Sequence, residues 1–523
     1  MSIFKKENLI RAAKAKIWSS PVRTLPPHPS LRHFLNWCRD TGQFQQIPDP
    51  VSVRHQMSAV HRIVLEAGGP VLQFDHPVLR SNQKSSVPVI TNLFGTSERV
   101  AAGLGVSLDQ LEDLGNFLAA LRSPSPPDGL RDTLSRWPLL KAALSSRPKF
   151  LKSGPVHSVI REGAEVDLDL LPIQTHWPGD VGPLVTWPVV ITREFGSDQC
   201  EINRYNAGVY RAQALNKSQL IMRWLAQRGG AGHHRSWQKQ GKKMPVAVVL
   251  GADPATLLSA ALPLPETVSE ISFAGALGGA RPRLVPCKTV PMMVPADAEI
   301  VLEGWVSPSE TAPEGPFGDH TGYYNPAERF PVMQVSAMTH REKPLYLSTY
   351  TGRPPDEPAI IGEVFNRLAL PTIRTQIPEI HDLWLPPAAC SYRMAIVSIN
   401  KRYPGQARRV MLALWGMLPQ FSYTKMIVAV DNDINPRDWD DIAWAIATRM
   451  DPSRDVLMLD NTPMDYLDFA SPQPGLAGKI GLDATTKIDG ETNREWGTVM
   501  HSSTEDLGFA SDLVSRLMPA MGV

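Results

Sequence analysis

The chain has 523 residues, more than one hydrophobic core accommodates, so several domains are expected. Hydrophobic residues make up 43% and charged residues 20%, an ordinary globular composition that excludes disordered and collagen-like classes. With 53 Lys and Arg against 52 Asp and Glu, the formal charge of +1 lacks the basic field that a nucleic-acid partner requires.

Residues 1–28 read as a surface extension, basic through Lys5, Lys6, Arg11, Lys14 and Lys16, whose apolar residues do not gather on one helical face. It has no signal-peptide core, and the longest apolar run, 246–264, is interrupted by Asp253, Pro254 and Pro263, so no bilayer-spanning helix is expected. Cys38, Cys200, Cys287 and Cys390 form no CxxC pair, which fits a reducing cytoplasm better than a zinc knuckle or a disulfide framework. Periodicity predicts helices over 31–38, 58–65 and 108–121 and short strands over 71–74 and 87–93, a small α/β domain spanning 29–150. The breakers of 123–129 and Ser153-Gly154-Pro155 punctuate its end.

From 151 to 348 the pattern changes to short β-branched runs at 156–160, 185–192, 246–250, 283–290, 299–306 and 332–338, which suggests a barrel or sandwich. One helix is signposted within it, with Asp253 as N-cap and Pro254 at the first helical position. From 349 to 523 strand and helix alternate: strands at 392–399, 426–430 and 456–459, and helices at 406–417 and 439–449, the latter capped by Asn435-Pro436. That alternation argues for a parallel α/β sheet. Residues 472–495 read as loop and 505–518 as a terminal helix.

Chemistry concentrates in Glu314-Gly315-Pro316-Phe317-Gly318-Asp319-His320-Thr321-Gly322-Tyr323-Tyr324-Asn325. Two carboxylates five residues apart, on a backbone that glycine and proline let turn tightly, can face one cavity. Close like charges there would separate their pKa values. A solvated turn is the bland alternative, and what weighs against it is the company the loop keeps. GxxxxGK[ST], GxGxxG, HExxH and GxSxG are all absent, which withdraws support from P-loop, Rossmann, zincin and hydrolase chemistry.

This loop resembles the signature of the UbiD family of reversible decarboxylases. The resemblance extends to Asn206-Ala207-Gly208-Val209-Tyr210-Arg211, to 220–225 with Arg228-Gly229-Gly230, and to 250–256, 348–358 and 464–471, in the ubiquinone-pathway branch of 4-hydroxy-3-polyprenylbenzoate decarboxylases. It implies a central split β-barrel of the flavin-reductase type over 151–348 and a C-terminal α/β oligomerisation domain over 349–523. It also implies prenylated FMN, supplied by a partner flavin prenyltransferase, because an aromatic decarboxylation needs an electron sink that no side chain offers. By the same resemblance Asp319 is the proton donor, with Glu314 and Arg211 positioning cofactor and substrate and relaying the proton. Val209, Tyr210, Arg211, Arg223, Trp224, Leu225, Arg228 and Gly229 wrap the flavin, and Lys425 reaches toward its phosphate. Asn206 and Glu270 bind Mn2+ or Mg2+, for which oxygen donors are the expected ligands. Some relatives contribute a histidine ligand where this chain has Arg228, and His233 and His234 nearby read as surface residues, so the third ligand stays open. His320 is expected to bond within the loop.

The expected product is a 2-polyprenylphenol, with a smaller phenolic acid such as 4-hydroxybenzoate or protocatechuate as the alternative substrate. A plain flavin reductase and a noncatalytic scaffold for a quinone-synthesis complex are disfavoured, since neither needs the Glu314, Arg211, Asp319 trio. A homo-oligomer, with a hexamer as one form, and peripheral contact with the inner face of the cell membrane complete the expectation.

Overall fold

The computed structural model describes residues 28–122, 137–226, 228–262, 264, 268–417 and 421–518; the basic extension up to residue 27 and the breakers of 123–129 lie outside them. Helix Leu31–Asp40 begins where the Ser30 hydroxyl accepts from the His33 backbone N–H, and buries Leu31, Phe34, Leu35 and Cys38. These are the i, i+3, i+4 and i+7 positions of one helical face. They pack near a four-stranded sheet ordered Phe44–Ser52, Val71–Val78, Val89–Thr91 and Tyr346–Leu347. Its last strand, parallel to Val89–Thr91, is supplied from far along the chain. The helix Leu111–Arg122 packs on Glu357–Gln376, a 20-residue helix whose Asp356 cap accepts from Ala359 N–H at 2.9 Å.

The central sheet has nine strands. Its spine is the antiparallel hairpin of Ile300–Glu314 and Glu328–His340, flanked by Met244–Leu250 on one side and Gln219–Met222 on the other. The path ends at Leu184–Val185 and Tyr205–Val209, which do not pair with each other, so among the described residues the sheet of the expected split β-barrel is not closed into a ring. The run expected as a strand over 156–160 is divided: Pro155 opens a short 3-10 turn, Pro155–His157, and extended pairing begins only at Val159–Glu162. The Asp253 and Pro254 helix start is found as expected, with Asp253 accepting from Thr256 N–H.

The C-terminal sheet is mixed. Met394–Ile399, Met426–Asp431 and Leu476–Ala484 are parallel neighbours, and Ile380–Trp384 and Val456–Pro463 pair antiparallel at its edges. Leu476–Ala484 corrects the reading of 472–495 as loop: its exposure alternates along the strand, but Gly478 and Gly481 thin out the apolar signal. The helix Trp439–Arg449 is capped by Asp438, which accepts from Asp440 N–H at 2.9 Å, and not by Asn435-Pro436. The terminal helix Thr504–Leu517 forms as predicted and has no buried residue. Among the described residues no helix is long and apolar enough to cross a membrane.

Candidate active site

Glu314 is the last residue of the long strand Ile300–Glu314 and faces Glu328, the first of its hairpin partner. Between them the chain makes a smaller hairpin, Phe317–Gly318 with Tyr324–Asn325, closed by Asp319 N–H to Tyr323 carbonyl at 3.0 Å and Gly322 N–H to Asp319 carbonyl at 2.8 Å. Asp180 clamps this loop from outside, accepting from Gly318 N–H at 2.9 Å, His176 N–H at 3.0 Å and Trp177 N–H at 2.8 Å. The Trp177 ring lies against Gly318 so closely that a Cβ there would fall 2.3 Å from it. Only glycine lets the loop approach in this way.

Arg211 sits in the turn between strands Tyr205–Val209 and Ala212–Asn216 and gathers the loop's polar groups. It donates to Glu314 through Nε at 2.9 Å and Nη2 at 3.3 Å, to Asp319 Oδ2 through Nη1 at 2.8 Å, and to Asn325 Oδ1 through Nη2 at 2.6 Å. A planar guanidinium makes this fork possible, where an ammonium would hold one partner at a time. Arg223, just past strand Gln219–Met222, donates to Glu314 Oε2 at 2.6 Å and also to the Tyr466 hydroxyl. Two guanidinium groups thus meet two carboxylates in a nearly dry site, where either carboxylate left alone would be strongly unfavourable. Glu314 is fully buried and Asp319 is 9% exposed.

That difference separates the carboxylates. Asp319 lies in the wall of a cavity of about 430 Å³ whose lining also includes Trp177, Tyr323, Tyr324, Arg62 and Arg353, and Glu314 is absent from that wall. Burial alone would raise the Asp319 pKa. The His320 ring, bonded through Nδ1 to Asp319 Oδ1 at 2.8 Å, and the Arg211 charge outweigh it and hold the carboxyl well below the usual carboxylate range. For His320 burial works the other way, lowering the pKa, and the Asp319 hydrogen bond and charge with help from Asp465 reverse it and raise the ring above its ordinary value.

A second cluster joins strand Tyr205–Val209 to the start of helix Glu270–Gly278. Asn206 donates to Glu270 Oε1 at 3.1 Å, Ala207 N–H donates to Oε2 at 3.0 Å, and the Tyr210 hydroxyl donates to Asn206 Oδ1 at 3.0 Å. Burial raises the Glu270 pKa, and no cationic side chain pairs with it among the described residues. The donor set is an amide and a carboxylate, both hard oxygens, and Gly229 comes so near that a Cβ would fall 2.7 Å from the Asn206 amide. Asn206 Oδ1 and the Glu270 carboxylate are therefore the oxygens that would hold a hard divalent cation here. Among the described residues no group of three His, Cys, Asp or Glu is arranged to hold a metal ion. His233 and His234 are corrected from surface residues to half-buried ones, the first bonded to Thr192 Oγ1 at 2.9 Å and the second to the Ser307 carbonyl at 3.1 Å.

The structure brings together Arg211, Arg223, Glu314 and Asp319, and separately Asn206, Tyr210, Glu270 and Gly229. Trp224 is buried against His234, with ring centres 5.9 Å apart, Val209 pairs with Val189 in the central sheet, the Leu225 carbonyl accepts from Arg228 N–H at 2.9 Å, and Arg228 stands at the N-cap of helix Gly229–Gln238. Lys425 is paired with Asp468 at 2.6 Å. Sequence reasoning missed Asn325 and Asp180 as supports of the trio, and Asp465 and Tyr466 as visitors from the C-terminal unit. The one available signal was the 464–471 motif itself, which carried no indication of where it folds.

Three family profiles match in order: the N-terminal, Rift-related and C-terminal domains of 3-octaprenyl-4-hydroxybenzoate carboxy-lyase, over residues 35–118, 149–354 and 359–484. Among solved structures, the UbiD-class enzyme HmfF from Pelotomaculum thermopropionicum, in complex with FMN, is 28% identical over 92% of this chain and 99% of its own, with a TM-score of 0.74. The vanillic acid decarboxylase of Sedimentibacter hydroxybenzoicus in its closed form shares the fold at 24% identity, 94% and 99% coverage and a TM-score of 0.79. The 3,4-dihydroxybenzoic acid decarboxylase of Enterobacter cloacae does so at 22% identity, 93% and 100% coverage and a TM-score of 0.73. With all three profiles aligned along one chain and the carboxylate and arginine trio assembled at its centre, the protein belongs to the UbiD family of carboxy-lyases.

Proposed function

We infer that the chain decarboxylates 4-hydroxy-3-polyprenylbenzoate to a 2-polyprenylphenol without net oxidation, in ubiquinone biosynthesis, with prenylated FMN and Mn2+ or Mg2+. The observation that carries the catalytic part is the placement of Asp319 in the cavity wall while Glu314, between two arginines, stays out of it. Asp319 delivers the proton that replaces the departing carboxylate on the ring carbon. Arg211 and Arg223 hold Glu314 and, through Arg211, keep Asp319 aimed. Bound prenylated FMN supplies the electron sink. Val209, Tyr210, Arg211, Arg223, Trp224, Leu225, Arg228 and Gly229 would surround it, with Asn206 and Glu270 on the metal that neutralises its phosphate. HmfF has been solved with both FMN and, in an evolved dimeric form, prFMN, which supports that cofactor here.

The polyprenyl substrate draws support from the profiles' own description and from aromatic groups at the cavity mouth, where Tyr323 and Phe469 meet at 5.7 Å and stand 65% and 52% exposed. The reading carries with it a flavin prenyltransferase as cofactor supplier, a homo-oligomeric enzyme, and a peripheral encounter with the membrane that holds so apolar a tail. A smaller phenolic acid is the second reading, favoured by the vanillic and 3,4-dihydroxybenzoic acid decarboxylases among the structural neighbours.

The test is CO2 release by protein co-expressed with a flavin prenyltransferase, offered 4-hydroxy-3-prenylbenzoate, vanillate and 3,4-dihydroxybenzoate in parallel. Wild type is expected to prefer the prenylated acid, and Asp319→Asn to lose at least about 100-fold in kcat, the scale on which a positioned acid acts. Preference for the unprenylated acids would select the second reading, and an active Asp319→Asn would remove Asp319 from its role.

A further inference from the structure

The C-terminal unit reaches into the catalytic loop. The Tyr466 hydroxyl takes a hydrogen bond from Arg223, the Phe469 ring meets Tyr323 edge to face, and Asp465 Oδ2 lies 3.9 Å from His320 Nε2. Asp465 does not swing freely: the Tyr392 hydroxyl donates to it at 2.8 Å and Arg393 at 3.1 Å, so its carboxylate arrives already fixed on that unit. On the other side His320 is tied by Nδ1 to Asp319, while its buried Nε2 has no hydrogen-bond partner. The charged groups around the ring are Asp319 on its own loop with Arg211 behind it, Asp465 and Arg393 on the C-terminal unit, and Asp356 at the start of helix Glu357–Gln376. Three carboxylates against two guanidinium groups favour an imidazolium.

We propose that Asp465 and His320 form a positioning pair for Asp319, in which the seated C-terminal unit keeps the Nε2 proton in place so that the ring's transferable proton is the one on Nδ1, facing Asp319. The proposal rests on the reading of Asp319 as proton donor. Once the bond to the departing carboxylate has broken, the Asp319 carboxylate takes the Nδ1 proton of the His320 imidazolium and passes it to the ring carbon, where a C–H bond forms as CO2 leaves. His320 is left neutral with its proton on Nε2, and after product leaves, cavity water returns a proton to Nδ1 by way of the Asp319 carboxyl. Which nitrogen of a histidine carries the mobile proton is set by what holds the other, and here that holder belongs to a different part of the molecule. Proton supply is thereby tied to closure of the site.

The experiment reads the His320 imidazole by NMR in cofactor-free protein carrying labelled histidine, its resonance assigned by disappearance in His320→Gln, and beside it the pH profile of kcat in loaded enzyme. Asp465→Asn is expected to lower the His320 pKa by about one unit, since an opposite charge at such a distance is lost. The alkaline limb of kcat should move down with it while KM changes little. Arg393→Gln removes a like charge and is expected to move both in the opposite direction. An unmoved resonance in Asp465→Asn, or displacement in the same direction by both variants as simple loosening would cause, overturns the pair. Because the resonance is read without turnover, a wild type that released no CO2 yet showed these opposed shifts would count against the proposed function and leave the pair standing.

Discussion

Asp319 and Glu357 show how differently burial acts on two carboxyls of one molecule. Asp319 has a guanidinium and an imidazole on its oxygens, so its charge is favoured. Glu357 is fully buried, accepting from Phe94 N–H at 2.6 Å, and its other oxygen faces His61 at 3.5 Å. Burial lowers His61 to about 3, so that ring is neutral and the contact is not an ion pair at ordinary pH. Glu357 is accordingly raised to about 7, chiefly by burial. A carboxyl raised on folding gives stability that is complete below its unfolded value and is lost as pH rises through the folded one. Stability should therefore fall between about pH 5 and pH 8, by up to about 3 kcal/mol from this group. Glu357→Gln keeps the acceptor for Phe94 and removes the titration, so its melting temperature is expected to exceed that of wild type at pH 8 and to match it at pH 5. Parallel melting curves against pH would show that Glu357 does not ionise in this window. At this scale the sequence was informative where a motif named residue types, as with Arg211, Glu314 and Asp319, and mute where partners come from distant segments, as with Asp180, Asn325 and Asp465.

At the scale of elements, the hairpin of Ile300–Glu314 and Glu328–His340 is the beam from which the catalytic loop hangs, and its register decides where Glu314 ends up. One of its two register shifts falls between Glu303 and Gly304, where a Cβ on residue 304 would lie 2.2 Å from the Gln334 carbonyl oxygen. The obstruction is backbone and cannot rotate away. Gly304→Ala is expected to cost about 1–3 kcal/mol in denaturant unfolding, in the range of overpacked interiors, and to lower kcat by displacing the loop. A variant with wild-type stability would mean that the two strands part without strain. Strands and helices with strong periodicity were legible from sequence, including 406–417 to the residue. Leu476–Ala484 was not, because its glycines dilute the alternation and only its two neighbours, Met426–Asp431 parallel and Val456–Pro463 antiparallel, justify it as a strand. The same holds for the open edge of the central sheet, since strand ladders are decided by which edges meet and periodicity reports only which face is apolar.

At the scale of the molecule, the divisions at 150 and 348 drawn from composition cut through a shared structure. The first sheet borrows Tyr346–Leu347, and the helix Leu111–Arg122 rests on Glu357–Gln376, where Gly115 lies close to the Leu368 carbonyl. A fragment of residues 29–150 is expected to show no cooperative thermal transition, whereas 29–376, which carries both missing pieces, is expected to show one. A sharp transition in the shorter fragment would make that unit autonomous.

The borrowed strand also sets a schedule for the newly made chain. Thr91, the end of the strand it pairs beside, leaves the ribosome 255 residues before Tyr346 does. At roughly 5–20 residues per second that is an interval of about 10–50 s. Throughout it the N-terminal sheet has an unfilled edge of backbone donors and acceptors, so the nascent chain passes through a period in which that edge is open to intermolecular pairing until translation itself provides the closing strand.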